Sequence, residues 1–350
     1  IATATLLTMA LAGNVQAAEI RSVGPDGEAA VDASTIELTD DQIAQIKEGG
    51  YTAAICLHYG GNDWSTSQQK GLEDTFGELG IEIVAVTDAN FSAETQVSNI
   101  ETVMAKKPDI LVSIPTDATA TADAYKQAAA AGIKIVFMDQ RANGLEAGKD
   151  YVSVVSADNY GNGYASGTVL GDALGGKGKV AMVYYDANFA PTNQRDEGFR
   201  DAMKNYPDIE IVTEQGFTDE SGCAEQGDAI LTQFPNIDGI YASWDVPMEG
   251  VLSAVRAAGM EGKVTLACND LGNNVAREIA SGNIAGGGAQ MPYDQGVAEA
   301  KLAALALLGE ETPSYVAVPA ETVTHENVLE AYTDVYHVET PDWLKEAYVE

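Results

Sequence analysis

The sequence predicts an α/β protein built from two doubly wound, parallel-sheet domains. Three observations lead there. Short β-rich runs alternate with amphipathic stretches of helical length along most of the chain. The rhythm runs through twice, once up to about residue 157 and once beyond it. The 350 residues, 45% of them hydrophobic, suffice for two separate cores.

Taken in order, residues 1–17 form an apolar run that ends in the small-x-small pattern Val15-Gln-Ala17, the mark of an export leader. Cleavage is expected after Ala17, and with it a periplasmic location. Residues 18–50 read as an N-terminal extension, irregular over 19–34. Thr39-Asp-Asp-Gln42 is a capping box opening a short helix that closes at Gly49-Gly50. Strands are then expected at 52–57, 81–87, 110–114, 134–138 and 151–155, with helices over 66–79, 95–105 and 119–131. Gly80 and Gly132 stand just past two of these helices, where a left-handed residue ends a helix. The second half gives strands at 179–185, 210–214, 239–242, 264–267 and 284–288. Its helices fall at 193–205, 223–233, 247–258, 273–280 and 293–308.

The formal net charge is -34, from 53 acidic and 19 basic residues. Acids spread this evenly argue against nucleic acid and anionic membrane surfaces as partners. No stretch after the leader is long and apolar enough to span a bilayer. The three cysteines, Cys56, Cys223 and Cys268, are an odd number without a CxxC spacing, and read as small buried residues.

Doubly wound sheets bind ligands at the carboxyl ends of their strands. After the first strand comes His58-Tyr-Gly-Gly-Asn-Asp-Trp-Ser65, and after the fourth Asp139-Gln140-Arg141. The second half offers Arg195, Phe217, Trp244-Asp245, Asn269-Asp270 and Gln290. Carboxylates, amides and an arginine suit ligands whose every hydroxyl both donates and accepts. Trp64, Phe217 and Trp244 offer rings for the C–H face of a sugar. Any one of these residues has a plain alternative as a helix cap, a turn former or edge packing. The argument rests on their recurrence at strand ends in both halves.

Spaced in this way, the chain resembles the periplasmic sugar-binding proteins of the ribose/galactose-binding type, the receptors of ABC importers. The likeness covers residue 52 to about 323. It is carried by Asn62-Asp-Trp64, Pro115-Thr-Asp117, Asp139, Ser156-Ala-Asp158-Asn159, Arg195-Asp-Glu-Gly-Phe199, Asp270 and Gln290-Met-Pro-Tyr-Asp-Gln-Gly296. The resemblance implies two lobes joined by three crossings, near 157–158, 290–291 and 321–323. The first lobe would be 51–157 with 291–322, the second 158–290 with 323–350. It implies ligand contacts from Asn62, Trp64, Asp139, Arg195, Phe217, Asp270 and Gln290. Ser65, Gln140 and Trp244 depart from the ribose-binding pattern and imply a differently shaped pocket, with His58 and Tyr59 at its mouth.

The implied function is binding of a monosaccharide or sugar alcohol and its delivery to a membrane permease and ATPase, by a monomer without cofactor or metal. A second reading, with the same fold and site, is a sensor that feeds a chemoreceptor or histidine kinase. A repressor on this core would need a helix-turn-helix and a basic surface, and the sequence has neither. Enzyme motifs are likewise missing. There is no Gly-x-Ser-x-Gly elbow. The phosphate-loop spacing from Gly171 to Lys177 has Gly178 where Ser or Thr must stand. His58, His325 and His337 are too scattered for a metal site.

Overall fold

The capping box forms as read. The Thr39 hydroxyl accepts from the Gln42 amide, and the Gln42 side chain accepts from the Thr39 amide. The computed structural model describes residues 19–350, so the leader lies outside the described residues. Along the chain come β1 (Val31–Asp32), α1 (Asp40–Gly49), β2 (Thr52–Leu57), α2 (Asp63–Glu78), β3 (Glu82–Asp88) and α3 (Ala93–Ala105). Next are β4 (Ile110–Ser113), α4 (Ala122–Ala130), β5 (Lys134–Met138), β6 (Ser153–Ala157) and α5 (Asn159–Ala173). Then follow β7 (Lys177–Tyr185), α6 (Ala190–Met203), β8 (Asp208–Phe217), α7 (Cys223–Gln233), β9 (Gly239–Ala242) and α8 (Asp245–Ala257). The chain finishes with β10 (Thr265–Cys268), α9 (Asn273–Ala280), β11 (Gly286–Ala289), α10 (Pro292–Leu307), β12 (Tyr315–Val318), β13 (Glu321–Thr324), α11 (Val328–Tyr336) and α12 (Asp342–Ala347).

Two sheets organise these elements. Among the described residues the first has seven parallel strands in the order β1-β12-β6-β5-β4-β2-β3. The second has six, β13-β11-β10-β9-β7-β8, with β13 antiparallel to β11. Helices cover both faces, so the central strands are buried throughout. That is why β4, β6 and β9 read as unbroken apolar or small-residue runs rather than as alternations. The chain passes between sheets after β6, after β11 and between β12 and β13.

Several elements differ from the sequence reading. The 19–34 stretch, read as irregular, contributes β1 to the edge of the first sheet. It also reaches the second lobe: the Ser22 hydroxyl and amide and the Arg21 amide donate to Asp158 at 2.7–2.9 Å, and the Arg21 guanidinium lies 3.9 Å from the Tyr164 ring centre. The last crossing falls at 319–320, because β13 already pairs with β11 from Glu321. Helix α5 was not read at all. It is buried on most of its surface and rich in glycine, so no amphipathic stripe marks it. Three cysteines are buried and free.

Candidate functional site

The strand ends of both sheets converge on one cleft. The loop after β2 brings His58, Tyr59 and Asn62, and the first turn of α2 brings Trp64. The residue after β5 is Asp139. From the second lobe come Arg195 on α6, Trp244 before α8, Asp270 after β10 and Gln290 after β11. With Phe91, Tyr185 and Phe189 they surround about 460 Å³ of space, counted out to the solvent.

A chain of polar contacts links the lobes through this cleft. Trp64 Nε1 donates to Gln290 Oε1 at 3.2 Å, and Gln290 Nε2 donates to Asp270 Oδ1 at 2.7 Å. Arg195 Nη1 pairs with Asp270 Oδ2 at 3.1 Å, and its Nε donates to Asn159 Oδ1 at 2.9 Å. Asn159 Nδ2 lies 3.3 Å from Asp139 Oδ1, which also accepts from Ser156 Oγ and the Ala157 amide. Arg195 and Asp139, one from each lobe, are the buried charged groups that line the cleft together with Asp270.

Burial sets the electrostatics. It works against the charge of Arg195, but Asp270 and Asp139 outweigh it and hold the guanidinium protonated. Burial pushes the Asp139 carboxyl up, and Arg195 pulls it back in part. The His58 imidazole is pushed down to about 3 by burial alone, so it is neutral at pH 7, and its Nδ1 has no hydrogen-bond partner among the described residues. Asp139 and Asp270 both have left-handed backbones, with φ of 54° and 70°. Such strain in a side-chain-bearing residue collects at functional sites.

Nine of the expected residues line the cleft: His58, Tyr59, Asn62, Trp64, Asp139, Arg195, Trp244, Asp270 and Gln290. Three lie behind or beside its wall. Ser65 is buried in the first turn of α2, and its amide donates to the side-chain Oδ1 of the capping Asn62 at 2.8 Å. Gln140 points away: it donates to Pro115 O and accepts from the Ala190 amide of the other lobe at 3.1 Å. Phe217 packs behind Trp244 and Tyr185, at ring separations of 5.1 and 5.6 Å. Phe91, Tyr185 and Phe189 were missed. Each sits at or just after a strand end, so the rule that located the others marks these too. Their apolar rings carry no hydrogen-bonding signal to set them apart from core residues at the same strand ends.

Aromatic packing closes one side. His58 stacks on Phe189 across the lobes at 5.5 Å, and Phe91 stacks on Tyr59 at 4.1 Å. Asn62 Nδ2 donates to the Tyr59 hydroxyl. Among the described residues no group of three or more His, Cys, Asp or Glu side chains gathers to hold a metal ion, and no helix is long and apolar enough to cross a membrane.

Comparison with known proteins places this architecture. The chain is 29% identical over 273 residues to a D-ribose/D-allose-binding protein of Pseudomonas aeruginosa, which covers 75% of this chain and 83% of that one. It is 24% identical over 272 residues to the ribose import binding protein of Salmonella typhimurium, covering 78% and 90%. A crystal structure of an ABC transporter periplasmic solute binding protein from Actinobacillus succinogenes with bound D-allose matches with a TM-score of 0.73 at 29% identity, over 79% of this chain and 99% of that one. A solute binding protein from Agrobacterium vitis with bound α-D-tagatopyranose matches with a TM-score of 0.76 at 26% identity, over 83% and 100%. The family model described as periplasmic binding protein domain matches residues 53–311, about three quarters of the chain, and the chain belongs to that family.

Proposed function

We propose that the protein is the solute receptor of an ABC importer, closing on a sugar or sugar alcohol between its lobes and presenting it to the permease and ATPase in the periplasm. The observation that carries this is the polar chain from Trp64 through Gln290, Asp270, Arg195 and Asn159 to Asp139, drawn from both lobes and flanked by aromatic rings. The relatives support it: those described above are sugar-binding proteins or solute receptors of importers. In this reading Arg195 and Asp139 take ligand hydroxyls and Trp64 and Trp244 cover C–H faces, which their position on the cleft wall supports. Ligand that bridges the lobes favours the closed state, and the permease reads the closure. The ligand leaves chemically unchanged.

A thermal-shift screen of residues 18–350 against pentoses, hexoses, deoxysugars, alditols and inositols tests the reading. Ligand that binds only the folded state raises Tm by mass action. A large shift confined to one stereochemical group is expected. Asp139→Asn and Arg195→Lys should each weaken that ligand at least tenfold, since a carboxylate and a two-pronged donor are lost. Refolded protein that responds to no member of the library overturns the proposal.

A further inference from the structure

Helix α10 carries an acid that does not line the cleft. Glu299 is fully buried in the first lobe, as are Gln68 of α2 and Gln295, one turn before Glu299 on the same face of α10. The two helices meet backbone to backbone here. A Cβ at Gly296 would land 2.3 Å from the Gln68 carbonyl oxygen, and one at Gly71 would land 2.2 Å from that of Tyr293. Across this contact Gln68 Nε2 donates to Glu299 Oε1 at 2.6 Å.

The other arm of each group is unsatisfied. Gln68 Oε1 and Glu299 Oε2 are both buried, and neither completes a hydrogen bond among the described residues. Two acceptors cannot satisfy one another, and leaving both without a donor is costly. One proton on Glu299 Oε2 resolves the pair, because a carboxylic acid donates with one oxygen and accepts with the other, as an amide does with its nitrogen and oxygen. The surroundings favour that proton. Among the described residues no Lys, Arg or His forms a salt bridge with Glu299. Lys70 and Asp74 pair with each other on the outer face of α2, and Asp294 and Lys301 fall on other faces of α10. Strand β6 carries no charge, and Lys134 lies at the far end of β5 from Asp139. Burial first, and then the Asp139 carboxylate, push the Glu299 carboxyl well up.

The contact reaches the cleft by two routes. Trp64 lies one turn before Gln68 on the same face of α2. Gln295 Nε2 donates to Val155 O at 3.2 Å, the same carbonyl that accepts the Asp139 amide at 2.8 Å. We infer that Glu299 is a positioning residue of the sugar site and works as a neutral acid, its Oε2–H donating to Gln68 Oε1 so that α2 and α10 hold Trp64 and Asp139 in place for the ligand. The neutral form also puts no second negative charge beside Asp139. The inference rests on the receptor reading for its ligand.

Glu299→Gln and Glu299→Met, made in residues 18–350, test this. Glutamine can make both bonds of the pair and methionine neither. Isothermal titration with D-ribose, D-allose and D-galactose should show the glutamine variant within about twofold of the wild type and the methionine variant about fivefold weaker or worse, the equivalent of one lost hydrogen bond. Urea unfolding supplies a readout that packing alone does not move. Above the ordinary carboxyl value of 4.5 the unfolded chain has lost the proton that folded Glu299 keeps, so the wild type loses stability as pH rises. From pH 5 to pH 7 its unfolding equilibrium constant should grow about fiftyfold more than that of Glu299→Gln. Parallel pH dependence overturns the neutral acid, and that comparison needs neither a folded methionine variant nor a bound sugar. Wild-type affinity in both variants, or equal weakening in both, overturns the positioning role and leaves the receptor reading standing. Failure of all three sugars, with no response in the thermal-shift library, overturns the receptor reading and the positioning role with it.

Discussion

His58 shows how much a single side chain answers to its surroundings. Tyr59, Trp64, Phe91 and Phe189 all approach its ring, with centroids 4.8–5.7 Å away, and burial holds the imidazole neutral down to about 3. In the unfolded chain it takes a proton near its ordinary value of 6.5. Between those values the unfolded state binds the extra proton, so this residue's share of stability falls as pH drops below 6.5. One pKa unit corresponds to about 1.4 kcal/mol, so the loss from pH 6.5 to 5 is about 2 kcal/mol. Asp196, pushed up to about 6 by burial, contributes in the opposite sense over part of this range. Comparison with His58→Phe removes that contribution. Urea unfolding at pH 7 and pH 5 should show the wild type losing about 2 kcal/mol more than the variant, and parallel losses would mean that the ring is protonated in the folded protein. At this scale the sequence was half legible. It marked the strand-end positions. It did not separate Asp139, which faces the cleft, from Gln140, which turns to hold Ala190, because neighbouring residues after a strand point to different sides. Nor did it separate Asn62 as a ligand group from Asn62 as a helix cap, and here the capping bond to Ser65 is made.

Helices α5 and α6 explain where sequence reading of elements succeeds and fails. Helices such as α8 and α9 bury one face and expose another, so their apolar spacing is visible. Helix α5 is enclosed by the second sheet and α6, and it carries small residues where they approach. A Cβ at Gly163 would land on the Arg195 carbonyl, and one at Gly198 would meet the Tyr160 carbonyl. The glycines therefore position Arg195 as well as pack the core. Gly163→Ala must push α6 outward, and overpacking of this kind costs about 1–3 kcal/mol. It should also weaken sugar binding, because Arg195 moves with its helix while its own atoms are unchanged. Gly77→Ala is the control: it lies in α2 with open space about it, and should be neutral or stabilise by about 0.5–1 kcal/mol. Tm and ligand affinity for the pair check both statements. Equal behaviour of the two variants would mean that the α5–α6 contact relaxes without effect on the site.

Across the whole molecule, function depends on the balance between open and closed lobes, and the C-terminal segment bears on it. No role for that segment is legible in the sequence, since α11 and α12 belong to no strand–helix repeat and are defined by what they touch. Helix α11 packs on α9 and β13 of the second lobe, yet its end reaches the first. His337 stacks on Tyr293 with centroids 4.4 Å apart, and its Nε2 lies 3.0 Å from Asp294 Oδ1, both residues being on α10. Nearby, Tyr332 donates to Asn273, whose amide and side chain donate to Asp63 at the start of α2, at 2.7 and 2.8 Å. His337 and Asp294 do not line the cleft, so they act on binding only through the lobe equilibrium. Apparent affinity scales with the fraction of protein in the binding-competent state. An exposed pair contributes roughly 0–1 kcal/mol, and the ring contact adds to it. His337→Ala should therefore weaken sugar binding about threefold, the equivalent of about 0.7 kcal/mol. It should also enlarge the ligand-free radius of gyration in small-angle scattering, with the ligand-saturated value unchanged. A loss of affinity without that expansion would place the effect inside the cleft. Expansion without loss would mean that closure is not coupled to binding, and would undercut the hinge mechanism itself.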